Sequence, residues 1–169
     1  MKVHSLVARA VLCGAFVLGA GLASAQTYTK QQLQETYSAY LAAEGFRPEI
    51  TSGGNVKFRR EGRSYLIIAD EKDPTYFRMT WAFADEDKSA AARLRRLEGC
   101  NVASAEVKVI KAYLDSDGDP NFSAEMFLVV PGDFKTSMSL LLRAMDNAYD
   151  KYTKKGQSMR WEAEPHRAS

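Results

Sequence analysis

The sequence predicts an α+β domain. An antiparallel sheet of about five strands carries helices packed against it, in the order α-β-β-β-α-β-β-α. Three observations predict this. Phe77, Met79, Trp81 and Phe83 alternate with Arg78, Thr80 and Ala82, the period of a half-buried strand. Residues 30–44 and 134–152 instead space their apolar residues by three and four, the period of a helix. Gly53-Gly54 and Glu61-Gly62 punctuate the strand-like stretch with short turns, which suits an antiparallel meander.

The chain opens with Lys2 and Arg9, an apolar run from Ala10 to Leu22, and the small residues Ala23-Ser24-Ala25. This is the three-part layout of a secretory signal peptide. The run is shorter than the roughly 20 residues that span a bilayer, and its glycines disfavour a packed helix. Cleavage after Ala25 is expected, with the periplasm as destination and full secretion as the alternative, and with no stable membrane insertion afterwards. Lipidation at Cys13 fits poorly, because Leu12 and not a small residue precedes it. Removing residues 1–25 from the 169 leaves 144, the size of one domain. That domain is expected over 26–153, followed by a polar, frayed tail over 154–169.

Within the domain, Thr29 and Gln32 form the pattern of a capping box, so a first helix is expected over about 30–44. Leu33, Tyr37, Tyr40, Leu41 and Ala43 mark its apolar side, and Gly45 ends it. Phe46 should turn back onto the core. Three strands follow: one around Val56 and Phe58, one over Tyr65–Ala69, and the alternating stretch at 77–83. The stretch 85–101 opens with acids and carries Arg93, Arg95 and Arg96 later, as a helix dipole favours. Ala90, Leu94, Leu97 and Cys100 are expected to share its buried face. Two more strands are expected at about 105–115 and 121–130, joined by a turn at Ser116–Asp119. Asp133 should cap a last helix whose stripe is Phe134, Met138, Leu141, Leu142, Met145, Ala148, Tyr149 and Tyr152.

Charge excludes some functions. The full chain has a formal charge of +2. Lys2 and Arg9 leave with the leader, so the remainder balances at 21 basic against 21 acidic residues. That gives none of the basic excess typical of nucleic-acid binders. Cys100 is then the only cysteine, which forbids an intrachain disulfide and favours a buried thiol.

The motifs carry no catalytic set. Asp115-Ser116-Asp117-Gly118-Asp119 begins like a calcium loop, but Pro120 and Met126 stand where that loop needs Gly and Glu. An acidic hairpin turn is the expectation. His166 is the only histidine after the leader, which leaves no His-based triad or metal site within the domain. The acids at 70–73 read as a turn, and those at 85–87 as caps and first-turn residues. Lys57, Arg59, Arg60 and Arg63 gather on one hairpin, either as an anion-binding surface or as solvated charge, the latter being favoured. Of Lys108 and Lys111, at most one should share a face with Arg78.

"YLAAEGFRPEI", "GNVKFRREGRSYLIIADEKDPTYFRMTWAF", "AARLRRLEGCN" and "KAYLDSDGDPNFSAEMFLVVPGDF" resemble the bacterial YbjN-like family. That family is labelled a sensory transduction regulator and is similar in fold to the type III secretion chaperones. The resemblance spans about Gln32 to Tyr152. It implies helices on a twisted antiparallel sheet, and a protein that dimerises or binds extended segments of other proteins. It brings no catalytic residues. Gly45 and Gly62 match its turns and Asn101 its helix end. This chain departs from the pattern by its export signal and by "VASAEV" after Asn101.

The expectation is therefore a non-enzymatic exported domain, needing neither cofactor nor metal, that binds another protein or itself as a homodimer. Trp81, Phe83, Met138, Met145, Tyr149 and Tyr152 are the candidate interface, rimmed by Arg78 and Arg143, since aromatic residues and Met are enriched at interface cores. The alternative is a small-molecule or lipid binding module.

Overall fold

The computed structural model describes residues 27–163, with side chains through Met159. The expected signal peptide and His166 lie outside the described residues. Three helices, α1 (Lys30–Ala43), α2 (Ala90–Glu106) and α3 (Phe134–Ala163), accompany six strands. The strands are β1 (Glu49–Ile50), β2 (Val56–Arg60), β3 (Arg63–Ile67), β4 (Tyr76–Ala82), β5 (Ile110–Leu114) and β6 (Pro120–Phe127). They form one sheet in the order β1-β2-β3-β4-β6-β5, every pair antiparallel. The α+β class holds. The additional strand is β1, two residues long and too short to leave a periodic signal.

Local chemistry sets the first half. The Thr29 hydroxyl accepts from Gln32 N, and the Gln32 side chain accepts from Thr29 N at 2.9 Å, closing the capping box. At the other end, Gly45 takes φ +84°. Gly45 N donates to Ala42 O, and Phe46 N donates to Leu41 O at 2.9 Å. This double closure is the Schellman motif, and it requires a left-handed residue that glycine supplies without strain. Phe46 then folds inward, its ring 5.1 Å from that of Phe58. Glu61 and Gly62 both have positive φ, the two-residue turn whose twist matches the strands it joins.

Alternation places one face of the sheet under the helices. Val56, Phe58, Tyr65, Ile67, Phe77, Met79, Trp81, Phe122 and Ala124 are buried there with Leu33, Tyr37 and Leu41 of α1. Phe134, Met138, Leu141, Leu142, Met145 and Ala148 of α3 complete the core. The opposite face carries Arg78, Thr80, Ser123, Glu125 and Lys111, as the strand registers require. Lys111 thus shares that face with Arg78, while Lys108 precedes β5 altogether.

The second half departs from expectation at α2. This helix begins at Ala90, capped by the Ser89 hydroxyl, which accepts from Ala92 N at 3.2 Å; the acids 85–87 precede the cap. It continues to Glu106, so "VASAEV" contributes its last turns and Asn101 lies within it, not at its end. Its buried stripe is Ala92, Arg96, Gly99, Cys100 and Ala103, whereas Leu94 and Leu97 are exposed. The physical reason is the close approach of α3: a Cβ on Gly99 would lie 2.6 Å from Tyr152 Cδ2 and 3.0 Å from the Tyr152 carbonyl oxygen. Only the small-residue face of α2 fits there. Downstream, Ser104 closes part of the sheet edge, its hydroxyl accepting from Ala112 N at 2.7 Å and donating to Ala112 O at 3.1 Å. An occupied edge resists unwanted strand pairing.

Asp133 ends a short 3₁₀ turn, where its Oδ2 accepts from Val130 N at 3.1 Å. The segment expected to fray from Lys154 is instead helical through Ala163.

Candidate functional site

Four of the eight candidate interface residues converge at one end of the sheet. Trp81 and Phe83 lie two residues apart, on one face by strand periodicity. Phe122 of β6 is directly opposite Trp81 in register. Tyr149 and Tyr152 come from α3, three residues apart and so on neighbouring positions of one side. The Trp81 and Tyr149 rings meet edge-on at 5.0 Å, Trp81 stacks on Phe122 at 5.5 Å, and Phe83 meets Tyr152 at 5.9 Å. Trp81 is buried and the other three candidates are half-buried.

The remaining four candidates lie elsewhere. Met138 and Met145 are core residues with 1% and 0% exposure, out of reach of any partner while the domain stays closed. Arg78 lies on the opposite face of the sheet, and Arg143 is exposed on α3.

Most of the basic hairpin is paired within the domain. Arg60 and Arg63 are cross-strand partners beside the turn and point toward α3. Arg60 Nη1 donates to Asp146 Oδ2 at 2.9 Å, and Arg63 Nη1 donates to Asp146 Oδ1 at 2.7 Å. The Arg63 guanidinium also lies 4.5 Å from the Trp81 ring centroid and 4.7 Å from that of Tyr149, a favourable cation–π placement. Lys57 pairs with Glu49 at 2.9 Å. Of the four, Arg59 alone is exposed.

On the other side of the aromatic cluster a cleft of about 220 Å³ opens between residues 83–87, α2 and α3. Phe83 and Tyr152 form its aromatic wall; Asp85, Asp87, Arg95 and Arg96 supply charge, and Ala92 and Gly156 leave space. Arg96 is only 4% exposed. Its Nη1 lies 3.1 Å from Asp85 Oδ2 and donates to the Asp87 carbonyl oxygen at 2.7 Å. Its Nε is buried without a hydrogen-bond partner. Arg95 Nη2 reaches Asp87 Oδ2 at only 3.4 Å. Hydrogen bonds from the Ser89 hydroxyl and N–H hold Asp87 below the usual carboxylate range. Burial pushes the Tyr152 hydroxyl up to about 12, and the neighbouring Cys100 thiol up to about 12.

Sequence reasoning missed Arg96, treating it as one of three dipole-compensating arginines. The available signal was position: Arg96 falls four residues after Ala92 and four before Cys100, inside a stripe of small residues.

Several other acidic groups have partners within the domain. Asp115 Oδ1 accepts from Asp117 N and Asp119 N at 3.0 and 2.9 Å, which shapes the β5–β6 turn. Asp119 pairs with Lys88 at 2.7 Å. Glu71 Oε2 accepts from Lys30 N at the start of α1 at 3.1 Å. On the open face, Glu125 accepts from Tyr76 and from Ser123, and pairs with Lys111. Burial would raise Glu125, but the hydrogen bonds from Lys111, Tyr76 and Ser123 prevail and hold it below its ordinary value. Among the described residues, no group of three or more His, Cys, Asp or Glu could hold a metal ion. Nor is any described helix long and apolar enough to cross a membrane.

Compared with protein-family models, curated proteins and solved structures, the chain gives no significant match.

Proposed function

We propose that this chain is an exported, non-enzymatic protein-binding domain that self-associates through α2. One observation carries the reading: α2 turns Leu94 and Leu97 outward, 53% and 39% exposed. Leaving two leucines of one helix face half exposed forgoes burial worth about 1 kcal/mol each. The surface is also self-complementary. In an antiparallel pair of α2 helices related by a two-fold axis, Leu94 faces Leu97 of the partner copy, and Arg93 then faces the partner copy's Glu98. Neither Arg93 nor Glu98 has an ion pair among the described residues. An isologous contact of this kind closes as a dimer and does not propagate. The YbjN-like resemblance and its chaperone-like fold support the same reading and add extended protein segments as clients; the expected signal peptide supports a periplasmic setting.

Light scattering across a concentration series tests it. The wild type should approach twice the monomer mass, and Leu94→Glu with Leu97→Glu should hold it at monomer mass. Arg93→Glu should weaken the dimer, and adding Glu98→Arg should restore it. A wild type that remains monomeric throughout, or a dimer indifferent to all these changes, overturns the reading.

A further inference from the structure

We propose that the cleft between α2 and α3 binds a free α-amino acid with an apolar side chain. The argument begins with charge. Arg95, Arg96, Asp85 and Asp87 line one small opening, so the lining carries two cations and two anions. A ligand of net negative charge would meet both carboxylates, and one of net positive charge would meet both guanidinium groups. A zwitterion with its charges on adjacent groups can satisfy both signs at once.

Hydrogen-bonding capacity points the same way. A guanidinium has five N–H donors, yet the Asp85 and Asp87 contacts of Arg96 both fall on Nη1, so Nη2 makes no hydrogen bond among the described residues. Arg95 contacts Asp87 at 3.4 Å, longer than the roughly 2.7–2.9 Å of a strong charge-assisted bond, so it can turn to an incoming carboxylate. Asp87 can then receive the ammonium group.

Shape sets the remaining part of the ligand. Phe83 and Tyr152 offer an aromatic wall for an apolar side chain. A Cβ on Gly156 would meet nothing within 4 Å, so glycine there keeps the space open. A cleft of about 220 Å³ suits a ligand no larger than a single amino acid.

The test uses the purified protein and three probes: L-phenylalanine, phenethylamine, which lacks the carboxylate, and 3-phenylpropanoate, which lacks the ammonium. Binding is followed by amide chemical shifts and calorimetry. L-Phenylalanine should shift signals from 83–87, 92–96 and 152–157 saturably, and each single-charge analogue should bind at least about tenfold more weakly. Arg95→Met should weaken L-phenylalanine binding at least about tenfold. Gly156→Leu should abolish it by filling the cleft, with circular dichroism unchanged. Absence of saturable binding up to ~10 mM overturns the proposal. Equal affinity for all three probes, or binding unaffected by Arg95→Met, overturns it too.

Discussion

Gly99→Ala separates helix preference from helix packing. On an isolated helix, alanine in place of glycine stabilises by about 0.8–1 kcal/mol. At Gly99 the added methyl would lie 2.6 Å from Tyr152 Cδ2 and 3.0 Å from the Tyr152 carbonyl oxygen. The ring can rotate, but the carbonyl belongs to the α3 backbone and yields only if the two helices part. Overpacking of this kind costs about 1–3 kcal/mol, so the net effect should be a loss of up to about 2 kcal/mol. Gly156→Ala is the internal control. It makes a similar backbone change on α3, but its methyl meets nothing within 4 Å, so it should stabilise by up to about 1 kcal/mol. Urea denaturation should therefore move the two midpoints in opposite directions at constant slope. If Gly99→Ala stabilises as much as Gly156→Ala, α2 and α3 do not touch at Gly99, and the account of why α2 turns its leucines outward fails with it.

Four further outcomes follow from the same structure. Asp146→Asn removes the carboxylate shared by Arg60 and Arg63 and should cost about 1–2 kcal/mol in urea midpoint; an unchanged midpoint would show that the hairpin docks without it. Val109→Gly replaces an exposed β-branched residue at φ 60° and should stabilise by about 0.5–1 kcal/mol, whereas a destabilised variant would contradict the strained backbone. Cys100 is buried, with its thiol pushed up to about 12. At pH 8, peptide mapping after treatment with a thiol reagent should find Cys100 labelled only as fast as the domain opens, and labelling at the rate of urea-unfolded protein would refute this. Glu125, held below its ordinary value, contributes stability that is present above the free-carboxylate value of about 4.3 and lost as pH falls through its lower folded value. Glu125→Gln should flatten the acid limb of stability against pH, and an acid limb of unchanged slope would place the acid-sensitive group elsewhere.

Packing density explains why the cleft lies at the end of α2 and not between sheet and helix. The expected space between the sheet and the last helix is occupied by Phe77, Met79, Phe134, Met138 and Met145. Where Ala92 and Gly156 replace bulk, the layer opens.

The strands and their turns were legible because period-2 burial is local. Once Phe77, Met79 and Trp81 share one side, the strand has one way to face the core, and a one-residue slip would invert it. The cap at Thr29, the stop at Gly45 and the hairpin at Glu61-Gly62 were legible for the same reason, since each closes hydrogen bonds within a few residues. The convergence of Trp81, Phe83, Tyr149 and Tyr152 was half legible: each pair shares a face of its own element, but only the docking of α3 on the sheet brings the pairs together. The orientation of α2 was not local. Its sequence offers two stripes, Ala90-Leu94-Leu97 and Ala92-Arg96-Gly99-Cys100-Ala103, and hydrophobicity favours the first. The tertiary structure selects the second, because α3 brings Tyr152 against Gly99 at a distance that no larger residue allows. That selection buries Arg96, exposes Leu94 and Leu97, and creates the cleft. The sequence by itself determined the fold class and the layered core through local periodicity, while long-range packing of one helix against another decided which groups are left to bind.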